Sequence, residues 1–442
     1  MRLFLHGQSP TSTLLAQLND TRQSRITSLY LSSWSLVSPK AENSLLLAFS
    51  EFFREHQGMT EVILRNCSGD NLMELVILIL DSSPQALTIR YDQQQHLPYS
   101  VAQAFVHGCQ SRIQRLNLQG ITLDTDLLEA FEFSLPEKFR NLATLSIKSN
   151  LLLRDADQGV SILGQGNDSE SYFAVEDAAN RLSSLLLELP NLECLELENC
   201  HLNDEQLAML TDAALSSCDM RILNLSGNQC QEATMSILSK HLSRPEATME
   251  TLDLTWQRLP NEAASTPLPR PTMISVPKFR TTQPMNGIAL LAIALRTNSS
   301  LRNLILSENK IREGDIEMLT EALVVNNTLE SLEMKDCRLR SNSLRCLANS
   351  LPKLRLKTLQ IDGCQKLSPR HEEKALRSLF LVPLAKNQHM EDLGMNYRSQ
   401  SIDWLLDWNR SGRPEVDQSL IPSSLGPTIA GMQGHLFQMI TS

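Results

Sequence analysis

The sequence is poor in aromatic residues and in long apolar runs, and it has no excess of basic residues. Phe, Trp and Tyr together make up 5% of its 442 residues. No run reaches the roughly 18 apolar residues that a membrane-spanning helix needs, and the most apolar stretch, 72–80, is short. The formal net charge is −10, whereas general nucleic-acid binding calls for a basic footprint. We therefore expect partners other than nucleic acid and membrane.

Motifs that carry catalysis or bind cofactors are also missing from the sequence. The nearest match to a phosphate-binding loop, GQG at 164–166, has no Lys-Ser or Lys-Thr behind it. Cys194, Cys200 and His201 are close in sequence. They fall at outward, core and turn positions of the repeat described below, and so they would not converge on a metal. We therefore predict a protein that is not an enzyme and that binds no cofactor and no metal.

The cysteines do not indicate a disulfide framework. There are nine of them, an odd number, and four recur at one position of the repeat, where a buried thiol packs as a small hydrophobe. These four are Cys67, Cys200, Cys337 and Cys364. The N-terminal stretch is too short and too polar for a secretory signal. Both features favour a reducing compartment, so we predict a cytoplasmic location, with the nucleus as an alternative.

What the sequence does contain is a repeat. The segment LRNLILSENKI at 301–311 returns as LESLEMKDCRL at 329–339 and appears earlier as LECLELENCHL at 192–202. About twelve copies of the template LxxLxLxx(N/C)xL can be placed along the chain, most of them 25 to 29 residues apart. The copies that begin at Pro84 and Met390 match poorly. A repeat of this kind indicates a stack of similar units with a long surface and no single deep pocket.

Each copy predicts a short strand, a turn and a helix. Leu304 and Leu306 would face the core while the residues between and beside them face outward, as in a strand. The ninth residue, Asn or Cys, would turn the chain by bonding its backbone. After the turn, Ile316, Leu319 and Leu323 recur at helical spacing. Since one strand–helix unit cannot bury its own apolar face, the copies must stack.

The stretch 285–367 resembles the ribonuclease-inhibitor-like subfamily of leucine-rich repeats. The resemblance rests on the period near 28, on a helix that reads ALLAIALRTN at 289–298, and on the use of either Asn or Cys at the turn. It implies an α/β leucine-rich-repeat solenoid, a horseshoe with parallel strands on the concave face and helices on the convex face. That family includes inhibitors, sensors, adaptors and GTPase activators, so the resemblance does not fix an activity.

The repeat predicts how the chain is organised. We expect an N-terminal cap at 1–25, an array of about twelve repeats at 26–396, and a C-terminal cap with a loose tail at 397–442. Insertions are expected near 151–171 and 257–284, and the second carries six prolines. Such a segment favours an extended conformation, and whether it binds a partner or is a spacer stays open. In the C-terminal cap, Trp404 and Trp408 are expected to cover the last leucine row.

The most plausible function is a non-enzymatic adaptor or inhibitor that binds a protein partner through its concave face and one loop edge. The candidate residues, basic at first and acidic in the middle of the array, are Arg65, Arg90, Arg115, Asn117, Lys148, Glu196, Glu198, Asp253, Glu333 and Lys335. An ordinary solvated sheet face would show similar charges. The resemblance also implies an alternative, a GTPase-activating protein for a Ran-type small GTPase, although only Glu415 and Asp417 follow Arg410 where that class has a strongly acidic tail.

Overall fold

The structure, a computed structural model, describes residues 2–6, 11–20, 26–33, 35–36, 39–57, 59–69, 72–96, 103–106, 113–122, 127–132, 140–148, 169–257, 287–363, 379–395 and 399–413. These residues divide into two compact units, one that ends at Gln229 and one that begins at Cys230. In both units, parallel strands alternate along the chain with helices.

Eight strands of the first unit lie side by side in chain order, and all of them pair in parallel. They are β1 Arg2–His6, β2 Ser28–Ser32, β4 Glu61–Arg65, β6 Ala86–His96, β7 Arg115–Thr122, β8 Thr144–Lys148, β9 Cys194–Glu198 and β10 Ile222–Asn224. The intervening β3 Ser35–Leu36 and β5 Ser68–Gly69 form a separate two-stranded sheet. The helices are Thr11–Asp20, Pro39–Glu55, Leu72–Asp81, Ser169–Leu187 and Asp204–Ser217, with short helices at 103–106 and 127–132.

The second unit continues the same pattern with shorter strands. Its five strands pair in parallel in chain order. They are β11 Thr251–Asp253, β12 Asn303–Ile305, β13 Ser331–Glu333, β14 Thr358–Gln360 and β15 Asp392–Gly394. Its helices are Glu232–Leu242, Ile288–Leu295, Glu313–Val325, Ser341–Ser350 and Gln400–Arg410, with a further helix at 379–386 and a 3-10 turn at Leu351–Lys353.

Rows of leucines form the core of both units. In the second unit Leu304 lies in register between Leu252 and Leu332, and all three are fully buried. In the first unit Leu195 lies in the same way beside Leu145. Each leucine thus packs on its equivalents in the neighbouring copies, which builds a continuous apolar core. The predicted leucine-rich-repeat fold, with parallel strands that alternate with helices, is confirmed.

The two poorly matching copies also form strands. In the copy that begins at Pro84, Leu87 and Ile89 are buried and pair in register with β4. In the copy that begins at Met390, Leu393 is buried and β15 pairs in parallel with β14. Both copies therefore keep the inward positions of the strand, and their first template positions, Pro84 and Met390, are buried as well.

The asparagine at the turn bonds the backbone of two copies at once. The side-chain amide of Asn228 donates to the carbonyl oxygens of Leu197, at 2.5 Å, and Leu225, at 3.0 Å. Its side-chain oxygen accepts a hydrogen bond of 3.0 Å from the backbone N–H of Cys200. Asn309 makes the equivalent bonds in the second unit. This double role explains why the turn selects a side chain that both donates and accepts.

The turn cysteines Cys67, Cys200 and Cys337 are buried, as predicted. The Cys337 thiol donates to the carbonyl oxygen of Leu306 at 3.0 Å, so a thiol replaces one of the bonds that an asparagine makes there. Cys364, the fourth member of the predicted set, lies outside the described residues.

Gln257 occupies the turn position of its copy, which the sequence analysis assigned to the start of an insertion. Its side chain is 2% exposed. Its side-chain oxygen accepts from the Cys230 N–H at 2.9 Å, and its own N–H donates to Asn309 at 2.8 Å. The template admitted only Asn and Cys at this position, whereas the longer amide of Gln257 accepts the equivalent bond from the preceding copy. The rest of the second insertion, 258–286, lies outside the described residues, as does most of the first.

The C-terminal helix Gln400–Arg410 forms as predicted, but different side chains face the core. Ile402, Leu405 and Leu406 are fully buried, while Trp404 and Trp408 are only half-buried. The two indoles pack on each other with ring centroids 5.4 Å apart. The expectation that the tryptophans cover the last leucine row was therefore wrong, because helical spacing gives that position to the aliphatic residues.

Side chains of the sequence NRSGR at 409–413 form hydrogen bonds between the end of this helix and the preceding copy. The Asn409 amide donates to the carbonyl oxygen of Met390 at 2.6 Å. The Arg413 guanidinium donates to the Asn387 carbonyl oxygen and, at 2.7 Å, to the Asn409 side chain. It also lies over the Trp408 ring, 4.5 Å from its centroid. Burial lowers the pKa of Arg413 to about 10, so the group stays protonated at neutral pH.

Candidate protein-binding surface

The surface available to a partner is made by the strand side chains that alternate with the buried leucines, and we call it the outer strand face. In the first unit it has three rows, which follow the register of the strands. One row runs through Glu61 and Arg115, the middle row through Phe4, Tyr30, Ile63 and Asn117, and the third through Arg65, Arg90, Lys148 and Glu198. Because neighbouring strands lie about 4.8 Å apart, side chains in one row are adjacent.

Arg65 and Arg90 lie on adjacent strands, as predicted, and share one carboxylate. Arg65 donates to Asp92 with its Nη2 atom 2.9 Å from Oδ2, and the Arg90 Nε atom is 3.5 Å from Oδ1. Asn66 also donates to Asp92 at 2.7 Å. The hydrogen bond from Arg65 is the main cause that lowers the pKa of Asp92. Sequence reasoning missed Asp92 because it lies late in β6, in the poorly matching copy at Pro84, beyond the outward positions that were considered.

Lys148 joins the basic and the acidic parts of this face. Its ammonium nitrogen is 3.0 Å from Glu196 Oε2 and 3.4 Å from Glu198 Oε2. Although burial opposes it, the contact with Glu196 contributes to a raised pKa of Lys148. The charges expected to form two separate patches are therefore partly neutralised where they meet.

The remaining predicted residues are also on outer strand faces. Arg115 is exposed, and Asn117 donates to the Thr88 hydroxyl at 3.1 Å. In the second unit Asp253 is half-buried and accepts from the Thr255 N–H at 2.8 Å. Glu333 forms an ion pair of 3.0 Å with Lys335 in the same copy. The hydrogen bonds of Asn117 and Asp253 and the ion pair of Glu333 are accessible to solvent, so each of them stabilises the fold only slightly.

An apolar group at the start of the outer strand face was not predicted. Phe4 is 64% exposed, and its ring stacks on that of Tyr30 with centroids 4.5 Å apart. Ile63 follows in the same row and is half-buried. We call Phe4, Tyr30 and Ile63 the aromatic platform. These three residues stand at the centres of RLFLH, SLYLS and EVILR in the sequence, but the predicted candidate residues were only charged and amide side chains.

A partly accessible thiol lies on the outer strand face of the first unit. Cys194 is half-buried on the outer strand face, and burial, followed by the charge of Glu196, raises the pKa of its thiol to about 11. A thiol with such a pKa is a poor nucleophile at neutral pH. Within the described ranges no group of His, Cys, Asp and Glu side chains is arranged to hold a metal ion. None of the helices described is both long and apolar enough to cross a membrane.

Comparison with known proteins agrees with this architecture. The mouse ribonuclease inhibitor is 26% identical over 283 residues, which cover 62% of this chain and 52% of the inhibitor. The chain is thus similar to ribonuclease-inhibitor-like leucine-rich-repeat proteins. The mouse "NACHT, LRR and PYD domains-containing protein 4E" is 26% identical over 246 residues, covering 48% of this repeat protein and 24% of the relative. The chain therefore spans only part of the length of these relatives, about half of the inhibitor and a quarter of the NACHT protein.

No family model matches the leucine-rich-repeat chain. Among solved structures, the leucine-rich-repeat-containing protein LegL7 of Legionella pneumophila is 14% identical, with 86% of this chain and 97% of that chain covered and a TM-score of 0.37.

Proposed function

We propose that this leucine-rich-repeat protein is a non-enzymatic interaction module, an adaptor or inhibitor that binds a protein partner through its outer strand faces. One observation carries the proposal. The leucine rows fix the backbone, and the side chains that alternate with them include the stacked pair of exposed Phe4 and half-buried Tyr30, close to Arg65 and Arg90. Aromatic and arginine side chains supply most of the energy at protein interfaces.

The charges on this face favour a protein over a small ligand. Exposed Arg65, Arg90 and Arg115 lie on three adjacent strands, and Glu196 and Glu198 lie further along the same unit. A spread of charges of both signs orients a partner and speeds its association. The buried thiols at the turns, among them Cys67 and Cys200, support a reducing compartment such as the cytoplasm.

The proposal is tested by affinity capture from a reducing lysate, followed by binding measurements with the purified candidate partner. Wild-type protein is compared with Arg115→Glu, on the outer strand face, and with Asp212→Lys, an exposed charge change on the helix Asp204–Ser217. We expect Arg115→Glu to weaken binding at least about tenfold and Asp212→Lys to leave it unchanged.

The result that would contradict the proposal is equal binding by both variants, because the partner would then use another surface. A GTP hydrolysis assay with a panel of small GTPases runs beside it. Stimulation of hydrolysis by the wild-type protein would favour the GTPase-activating alternative and would contradict a purely non-enzymatic module.

A further inference from the structure

The start of the outer strand face combines an exposed apolar group with an excess of arginines. We propose that this area docks an acidic segment of the partner protein that carries an aromatic or large aliphatic side chain. The inference rests on the proposed function and adds to it the chemistry of the partner and the place where that partner binds most tightly.

The aromatic platform is preformed and accessible. The rings of Phe4 and Tyr30 are nearly parallel, at 17°, and the strand register places Ile63 directly after them. The Tyr30 hydroxyl donates to Glu61 Oε2 at 3.3 Å, which fixes one end of the ring. Phe4 leaves 64% of its surface in solvent, although its strand neighbours Leu3 and Leu5 are buried. A flat aromatic surface held in place binds an apolar side chain at a small entropic cost.

The arginines lie one step away on the same strands. Arg65 is two residues after Ile63, so the two side chains point to the same side about 7 Å apart. Arg90 is in register with Arg65 on the neighbouring strand. Asp92 holds the Arg65 guanidinium from one side through two of its nitrogen atoms. Because the guanidinium groups of Arg65 and Arg90 share a single carboxylate, they still attract a second carboxylate, which the partner supplies.

The local charge also selects an acidic partner. On the outer strand positions of β1 to β7 and at Asp92, there are four arginines, Arg2, Arg65, Arg90 and Arg115, against two carboxylates, Glu61 and Asp92. The difference, 4 − 2, is a formal charge of +2 in a chain whose net charge is −10. This area is therefore a basic exception in an acidic protein, and it complements a carboxylate-rich segment.

The test selects ligands from a phage-displayed library of random 12-residue peptides on the full chain. We expect enriched peptides to combine an aromatic or large aliphatic residue with Asp or Glu a few positions away. Synthetic copies are then titrated against Phe4→Ala and Arg65→Gln, which we expect to weaken binding at least about tenfold each. The matched control is Leu47→Ala, since Leu47 is another exposed apolar side chain, 69% exposed, on the helix Pro39–Glu55.

Each outcome bears on the inference. Peptides that lack acidic residues, or that bind Phe4→Ala as tightly as wild type, overturn it. If the peptides depend on Arg115 but not on Phe4, the inference fails while the proposed function stands. If they depend on neither, both fail. A selection that yields no binder overturns the inference, because the platform is exposed in the free protein. Phe4-dependent sedimentation with phosphatidylserine vesicles would assign the platform to a membrane surface and would overturn it too.

Discussion

Asn309 is the side chain whose replacement tests the turn mechanism most directly. It is 2% exposed and bonds three backbone groups: it donates to the oxygens of Leu254 at 2.7 Å and Leu306 at 3.0 Å, and it accepts from the Gln257 N–H at 2.8 Å. In Asn309→Ala these three bonds are lost, together with a longer one of 3.3 Å to the Ser307 oxygen, although the Leu306 oxygen still accepts from the Cys337 thiol. At about 1 kcal/mol for each hydrogen bond, the free energy of unfolding should fall by about 3 kcal/mol.

The assay is urea unfolding followed by tryptophan fluorescence, since Trp256 lies next to Gln257 in the affected turn. The midpoint should fall while the slope with urea stays constant, because the surface exposed on unfolding is unchanged. Asn303→Ala is the matched control, because Asn303 is half-buried on the outer strand face and its side-chain amide donates to the Thr251 hydroxyl at 3.1 Å, not to the backbone. A free energy of unfolding for Asn309→Ala that lies within about 0.5 kcal/mol of the wild-type value would refute the reasoning. Equal losses of unfolding free energy in both variants would refute it too.

Three further predictions follow from buried or paired groups. At pH 7.4 native Cys194 should react with a maleimide about a hundredfold more slowly than an ordinary thiol, because its pKa is raised from 9.0 to about 11. Cys200 should react only when the protein unfolds. Fast labelling of either cysteine in the native protein would contradict this prediction. Burial lowers the pKa of His241, so stability should decline as pH falls below about 6.5, and His241→Leu should show a smaller decline in urea titrations at pH 7.5 and 5.5. Arg413→Met should lower the free energy of unfolding by about 2 kcal/mol, because the bond to the Asn387 oxygen is lost. Thermal melting measures the change. An unchanged melting midpoint would show that the NRSGR segment does not stabilise the helix against the preceding copy.

The strands and the core could be predicted from the sequence because their signal is local and repeated. Leu304 and Leu306 are set by the two-residue alternation of a strand, and the same spacing recurs in copy after copy. The turn asparagines were also predictable, since only a side chain that donates and accepts can bond both neighbouring copies. Gln257 was missed because the template was written from the commonest residues and not from the hydrogen bonds that the position requires.

The electrostatics of the candidate surface could not be predicted in the same way. Whether Arg65 is available to a partner depends on Asp92, 27 residues later, and on a register shift after Arg90 in the pairing of β6 with β7. Likewise, Lys148 reaches Glu196 only because β8 and β9 are adjacent, although an insertion separates them in sequence. Pairings of this kind depend on register and on side-chain conformation, which the leucine period does not specify.

The inward and outward rows of the sheet in the first unit differ in how strongly the fold constrains their residues. In the first unit, the inward position that begins with Leu3 and Leu29 stays aliphatic in all eight strands. The adjacent middle row of the outer strand face reads Phe, Tyr, Ile, Thr, Asn, Ser, Glu and Asn from β1 to β10. Since the core positions already hold the fold, a change in the outer row costs little stability. The change in that row from aromatic to polar side chains is therefore not set by the leucine core, and the proposed recognition of a partner gives a physical reason for it.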